Sequence, residues 1–184
     1  MKVRLIIGVC FIVTAIAMFA SSGHAGVTKL SRADLKFASD ATQINDFEIT
    51  MGRYAAANSA DPAISAFGSK MVDEHTKANE ALQKVAVMDG FTLPTSISLS
   101  LRLDETRLKL LKGSAFDKAY MSEMVKGHTA AAKEFSKEVA TGINPDVKSF
   151  AKRTLPTVEH HLAMAKTELA ALKSGKKPAM KGGM

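Results

Sequence analysis

The chain has 184 residues, with five prolines, one cysteine, no tryptophan and a formal charge of +7. This length suits one compact domain. The basic residues are scattered along the chain or gathered near its end, and no stripe alternates Lys or Arg with aromatic side chains. Nucleic-acid binding therefore has little support. Weak attraction to anionic envelope surfaces fits the charge better, although it is not specific.

Residues 1–25 have the pattern of a secretory signal peptide. Lys2 and Arg4 form a basic start, an apolar run of 16 residues follows from Leu5 to Ala20, and small residues suit cleavage after it. A retained anchor is the alternative, but a membrane span needs about 20 apolar residues. Cleavage removes two positive charges, so +7 becomes +5, and it also removes Cys10. We therefore predict a periplasmic protein with no thiol and no integral membrane span, which excludes disulfides, zinc–thiolate sites and cysteine nucleophiles.

Apolar residues at spacings of three and four predict four long helices, and no alternating strand-like run reaches a convincing length. A capping box of Ser31 and Asp34 opens the first helix, and Ser114-x-x-Asp117 is predicted to open the third in the same way. An N-cap residue followed by proline, at Asp61-Pro62 and at Asn144-Pro145, opens the other two. The predicted helices span 31–58, 62–89, 115–141 and 145–173.

Other signals complete the all-α prediction. The connection between the second and third long helices contains a short helical stretch from Leu101 to Leu111. Pro156 lies inside the last helix, so a kink or a break is expected near Thr154. Residues 174–184 offer no core side chains and are predicted to be a disordered basic tail. The bundle domain then covers residues 26–173.

One polar residue lies on the apolar stripe of each long helix. Glu48, His75, His128 and His161 each fall within about three residues of the middle of their helix, or about 5 Å at 1.5 Å per residue. A residue in the middle of a helix lies in the middle of a bundle whichever way the helix runs. We therefore expect these four side chains to converge.

The buried carboxylate and three imidazoles can be satisfied in two ways. They form either a closed hydrogen-bonded network or a metal site with three nitrogens and one oxygen, which suits zinc, iron, manganese or copper. A methionine lies one turn from each polar residue, a pattern that favours copper if it is not ordinary core packing. The four methionines are Met51, Met71, Met124 and Met164.

Carboxylate di-iron bundles require a Glu-x-x-His pair on each of two helices. The residues three positions before the histidines are valines here, so chemistry of that type is disfavoured. Asp73, Glu74 and Glu159 are adjacent to the histidines in sequence and about 100° away around the helix. They are predicted either to face solvent or to support the histidines from behind.

An ordered series of motifs resembles the domain-of-unknown-function 4142 family over about residues 34–172. The motifs are Glu48, Phe67-x-x-x-Met71-Val72-Asp73-x-His75-Thr76, Leu93-Pro94, Gly113-x-x-Phe116-Asp117-x-x-Tyr120, His128, Phe150-Ala151, Leu155-Pro156 and Glu159-x-His161. The resemblance implies an exported bacterial protein with a ferritin-like four-helix bundle, often labelled an outer membrane protein. It implies no established activity. That label fits this sequence badly, because nothing after residue 25 resembles a barrel strand or a second membrane helix.

Three functions remain open at this point. The first is a metal-binding bundle with Glu48, His75, His128 and His161 as ligands. The second is a non-catalytic envelope or stress-related interaction protein whose polar centre only fixes the packing of the helices. The third is an oxidoreductase that uses the bound metal, which requires an open coordination position.

Overall fold

The computed structural model describes residues 30–175, which form five α-helices and no strand. The all-α class is confirmed, as are four long helices and a short one in the connection between the second and the third. The predicted signal peptide and all but the first two residues of the predicted tail lie outside the described residues. The helices are α1 (Arg32–Asn58), α2 (Pro62–Asp89), α3 (Leu99–Leu110), α4 (Gly113–Thr141) and α5 (Pro145–Ser174).

Local sequence signals set most of the helix ends. The Ser31 hydroxyl accepts from the backbone N–H of Asp34, whose carboxylate accepts from the N–H of Ser31, so the capping box is confirmed. The side chains of Asp61 and Asn144 accept from backbone N–H groups in the first turns of α2 and α5, and each of these turns contains a proline. Gly90 ends α2 with a φ of 71°, a left-handed conformation that glycine adopts without strain.

One expectation about helix ends is wrong. The residue before α4 is Lys112, which makes no side-chain capping bond, so Ser114 and Asp117 do not form a capping box. Asp117 is instead buried within the first turns of α4, where its side chain interacts with Ser59 in the turn between α1 and α2. A kink or a break was predicted near Thr154, and the break is absent, because α5 continues through Pro156.

The long helices form two hairpins that pack against each other. Short turns join α1 to α2 and α4 to α5. Phe37, near the start of α1, lies 4.8 Å from Phe135 near the end of α4, whereas Tyr54 lies 5.1 Å from Phe116 at the opposite end. Helix α4 is therefore antiparallel to α1 and parallel to α2. The connection 90–112, which contains α3, must run along the whole length of the bundle.

Helices α1 and α2 approach closely at two glycines. A Cβ atom on Gly68 would lie 2.6 Å from the carbonyl oxygen of Gly52, and one on Gly52 would lie 2.7 Å from the carbonyl oxygen of Gly68. Both distances are too short for real contacts. Glycine is thus required at this crossing because the two backbones touch there.

The core consists of two apolar clusters separated by a polar layer. We call these the Tyr120 cluster, which includes Met51, Phe67, Met71, Tyr120, Met124 and Ala165, and the Phe150 cluster, which includes Phe37, Ala41, Leu82, Ala131, Phe150 and Val158. On α2, α4 and α5, a histidine lies between the part that enters one cluster and the part that enters the other, and on α1 Glu48 follows Phe47 at the start of the part that enters the Tyr120 cluster. The polar layer consists of Glu48, His75, His128 and His161, all buried.

Candidate metal centre

Three histidines from three helices meet in the polar layer. His75 on α2, His128 on α4 and His161 on α5 have exposed fractions of 6%, 2% and 1%. Their ring centroids lie 5.2–5.7 Å apart. One nitrogen from each ring lies within 4.8 Å of the corresponding nitrogen of the other two. The predicted convergence of the histidines is therefore present.

A chain of amide groups fixes the orientation of His75. Its Nδ1 lies 2.8 Å from Oδ1 of Asn45, the Nδ2 group of Asn45 donates to Asn79, and Asn79 donates to Asp46. Because the amide oxygen of Asn45 can only accept, Nδ1 of His75 carries the proton. The other nitrogen, Nε2, then has a free lone pair and no hydrogen-bond partner within residues 30–175.

His128 and His161 are oriented in a similar way. Nδ1 of His128 donates to the carbonyl oxygen of Met124 over 2.9 Å, and Nε2 of His161 donates to Oε2 of Glu74 over 2.5 Å. Although partial burial would raise it, hydrogen bonds from Lys70 and His161 lower the pKa of Glu74. Glu74 is therefore an ionised acceptor. This leaves lone pairs on Nε2 of His128 and Nδ1 of His161, and both atoms lack a partner among the described residues.

Burial keeps the three imidazoles neutral. Loss of solvent, together with the neighbouring imidazoles, lowers the pKa of His75 well below 6.5. The same causes lower the pKa of His128 to about 4, although the Met124 carbonyl opposes the shift. Burial also lowers the pKa of His161, although its bond to Glu74 favours the charged form. Neutral imidazole is the form that binds a metal ion.

The distances suit a single ion after a small adjustment. Three nitrogens within 4.8 Å of one another fit in a circle of radius about 2.8 Å, so each must move less than about 1 Å to reach the 2.0–2.1 Å of a zinc–nitrogen bond. Each ring is already supported from behind by an amide oxygen, a carbonyl or a carboxylate. Such partners are typical of histidines that bind metal, since they fix the ring and its tautomer.

Glu48 lies beside this cluster and is not one of the mutually close groups. Its Oε1 is 3.8 Å from Nδ1 of His128, the nitrogen that contacts the Met124 carbonyl, rather than from the free Nε2. Burial, with a smaller contribution from Glu123, raises the pKa of Glu48 to about 8. Glu48 is therefore a neutral carboxylic acid at pH 7. The hydroxyl of Tyr120, whose pKa is raised by burial and by Glu48, completes this buried polar region.

The methionines of the predicted copper motif belong to the apolar core. Met51, Met71 and Met124 are completely buried in the Tyr120 cluster, and Met164 packs against it. Ordinary packing accounts for these positions.

Asn45 was not predicted from the sequence, and Glu74 was predicted only as one of three acidic candidates. Asn45 lies one helical turn before Glu48, on the same face of α1. This spacing is the sequence feature from which its place in the site could have been predicted. Nothing local separates Glu74 from Asp73, because the packing of α2 against α5 decides which of them reaches His161.

Comparison with known proteins places the chain in a family. The model of the family described as "Domain of unknown function (DUF4142)" matches residues 19–167, most of the chain. The chain belongs to the DUF4142 family. The resemblance found in the motifs is thus confirmed. None of the curated proteins compared with this DUF4142 chain matches it.

Two solved structures of another family share the fold. A DUF305 protein of Streptomyces coelicolor, named as a candidate secreted protein, is 13% identical with a TM-score of 0.65, and the match covers 80% of this chain and 96% of that one. A DUF305 fragment of Deinococcus radiodurans is 11% identical with a TM-score of 0.68, covering 77% and 97%. At these identities the likeness concerns the fold alone. Within residues 30–175, no helix is both long and apolar enough to cross a membrane.

Proposed function

We propose that this DUF4142 protein binds one transition-metal ion through His75, His128 and His161. Two observations carry the proposal: each ring directs one nitrogen to a protein acceptor and leaves the other buried without a partner among residues 30–175, and one nitrogen of each ring lies within 4.8 Å of one nitrogen of each other ring. A buried polar atom without a partner costs about 1–3 kcal/mol. One ion would use all three lone pairs at once.

The donor set indicates the class of ion. Three neutral imidazoles suit zinc, copper and iron, whereas magnesium and calcium prefer oxygen ligands. We favour zinc or copper among the metals considered from the sequence. Glu48 approaches His128 from the side of Nδ1, so we assign it a place beside the ion and not a direct bond. For Glu48 to coordinate the ion, its side chain would have to move from the Nδ1 side to the Nε2 side of the His128 ring.

We also propose a ferritin-like bundle in an exported protein. Ferritin-like folds have one long crossover connection, and the connection 90–112 runs between opposite ends of the two hairpins in that manner. The basic start and apolar run of residues 1–25 support export to the periplasm. The name of the Streptomyces coelicolor neighbour points the same way.

Elemental analysis of protein purified without a tag tests the metal site. We expect about one zinc or copper ion per chain in the wild type, and less than a tenth of that in His75→Ala and His128→Ala. His160→Ala is the matched control, because His160 is the exposed neighbour of His161 on the same helix. Metal at a hundred times its Kd should stabilise the fold by about 2.7 kcal/mol, so a chelator should lower the Tm.

The opposite result would favour the second function considered from the sequence. If the wild type holds little metal and the chelator leaves its Tm unchanged, the polar layer acts only in helix packing. The hydrogen bonds from His75 to Asn45 and from His161 to Glu74 would then serve to set the register of the helices.

A further inference from the structure

A cavity of about 370 Å³ borders the three histidines. All four long helices line it, so it extends through the middle of the bundle. Its inner wall is formed by the polar layer, and beyond that layer it is mostly apolar. The apolar wall consists of Ala41, Ile44, Ala78, Ala81, Ala131, Phe135, Phe150 and Val158. A volume of this size is at the small end of the range for ligand sites.

Exposed side chains on α2 and α5 contribute to the lining of the cavity. They are Lys77 on α2 and Arg153 on α5, and we take this exposed side as its mouth. Small side chains of the same two helices, among them Ala78, Ala81 and Thr157, also line it. Glu74 also lines the cavity, but its carboxylate is occupied by Lys70 and His161. Cationic groups at a mouth attract small anions.

We propose that the open side of the bound ion accepts the carboxylate of a small monocarboxylic acid, whose apolar body occupies the cavity. This inference rests on the proposed metal site. Three protein ligands leave at least one coordination position open, which is the arrangement of reactive sites and not of purely structural ones. All three histidines line the cavity, so we place the open position on the side of the cavity. An anionic oxygen ligand also offsets the charge of a buried dication.

The apolar wall selects among carboxylates. Phe135 and Phe150 can pack against an aromatic or branched hydrocarbon group of the acid. Water in the cavity would make no such apolar contacts. Burial of such a group should therefore improve binding relative to acetate by about tenfold or more. A neutral analogue lacks the anionic oxygen and should not coordinate the ion.

Protein loaded with Co²⁺ provides the readout, because its visible spectrum changes with the ligands of the ion. We expect benzoate to alter the spectrum, acetate to do so with at least about tenfold weaker affinity, and benzyl alcohol to have no effect. No change with benzoate in a Co²⁺-loaded protein would overturn the inference and leave the metal site standing. A failure to bind Co²⁺, zinc or copper would overturn both.

Two pairs of variants test the cavity itself. Ala81→Leu should fill it and weaken benzoate at least tenfold, whereas Ala66→Leu, at an exposed position of the same helix, should not. Arg153→Gln should weaken benzoate several-fold at low salt, and Lys152→Gln, one residue away and outside the lining, should have no effect. All four proteins should bind Co²⁺ as the wild type does. Equal affinities for acetate and benzoate, unchanged in Ala81→Leu and Arg153→Gln, would overturn the inference.

Discussion

Nε2 of His161 donates to Oε2 of Glu74 across 2.5 Å, which joins α5 to α2 directly behind a nitrogen that is free to bind metal. A carboxylate in this position fixes the ring and makes it a better electron donor. The contact shows how a residue outside the ligand set can control the site.

Removing this carboxylate should weaken metal binding. We expect Glu74→Ala to reduce zinc affinity about 10- to 100-fold, because His161 loses both its orientation and its charged acceptor. Glu74→Gln retains an acceptor oxygen and should have a smaller effect. Competition titration with a chromophoric chelator measures the affinities. Asp73→Ala is the control, since Asp73 is exposed on the same helix, and an equal loss in that variant would contradict the role assigned to Glu74.

The amide chain behind His75 should also matter. Asn45→Ala removes the acceptor for Nδ1 of His75 and leaves Asn79 without its donor. We expect metal affinity to fall about tenfold or more, with the wild-type stoichiometry retained. Among residues 30–175, the exposed Asn58 hydrogen-bonds only within its own helix, so Asn58→Ala should bind metal normally. An unchanged affinity in Asn45→Ala would show that the ring needs no support on this side.

Glu48 should make the metal-free protein less stable as the pH rises. The folded state holds the proton of Glu48 up to a pKa of about 8, whereas the ordinary value is 4.5. Between these values the folded state binds more protons than the unfolded chain, so the free energy of unfolding falls with increasing pH. Glu48→Gln removes the titration and should be more stable than wild type at pH 9, by up to about 5 kcal/mol.

Urea unfolding with a chelator at pH 5, 7 and 9 measures this difference. Glu80→Gln, at an exposed position of α2, should follow the wild type at every pH. If Glu48→Gln loses stability with pH as steeply as the wild type does, Glu48 is ionised in the folded protein. The same variant also tests coordination: retention of wild-type zinc affinity is expected when Glu48 is beside the ion, whereas loss of binding would make it a ligand.

The glycine crossing of α1 and α2 should resist substitution. Gly68→Ala places a methyl group 2.6 Å from the Gly52 carbonyl, so we expect a loss of about 1–3 kcal/mol in the free energy of unfolding. Gly127→Ala is the matched change in α4, where the nearest contact of the new Cβ is an ordinary 3.7 Å. It should be neutral or stabilising by up to about 1 kcal/mol. If Gly68→Ala and Gly127→Ala change the free energy of unfolding equally in chemical denaturation, the two helices separate easily at the crossing.

The sequence predicted the helices and the level of the site because both follow from local rules. Caps such as Ser31 and Asp61 act within a few residues, and the position of His75, His128 and His161 in mid-helix needs only helix length and the apolar stripe. Glu48 shows the limit of that approach. Its burial was predicted correctly, but the side of His128 that it contacts depends on rotamers and on the rotation of α1 against α4.

Three other contacts could not be predicted for the same reason. Asp117 has the spacing of a capping residue, yet the turn between α1 and α2 packs over the start of α4 and draws its side chain inward. Asn45 and Glu74 point at their histidines because α1 meets α2, and α2 meets α5, in one particular rotation. A single sequence contains no direct signal for these contacts between helices that are distant along the chain.

The crossover connection has a consequence for how the centre comes together. Each hairpin can form from contacts that are local in the sequence. However, His75 belongs to the first hairpin, while His128 and His161 belong to the second. Neither half possesses a complete set of donors. Docking of the two hairpins therefore also completes the histidine triad. An ion bound there would cross-link two hairpins whose covalent link is the connection 90–112.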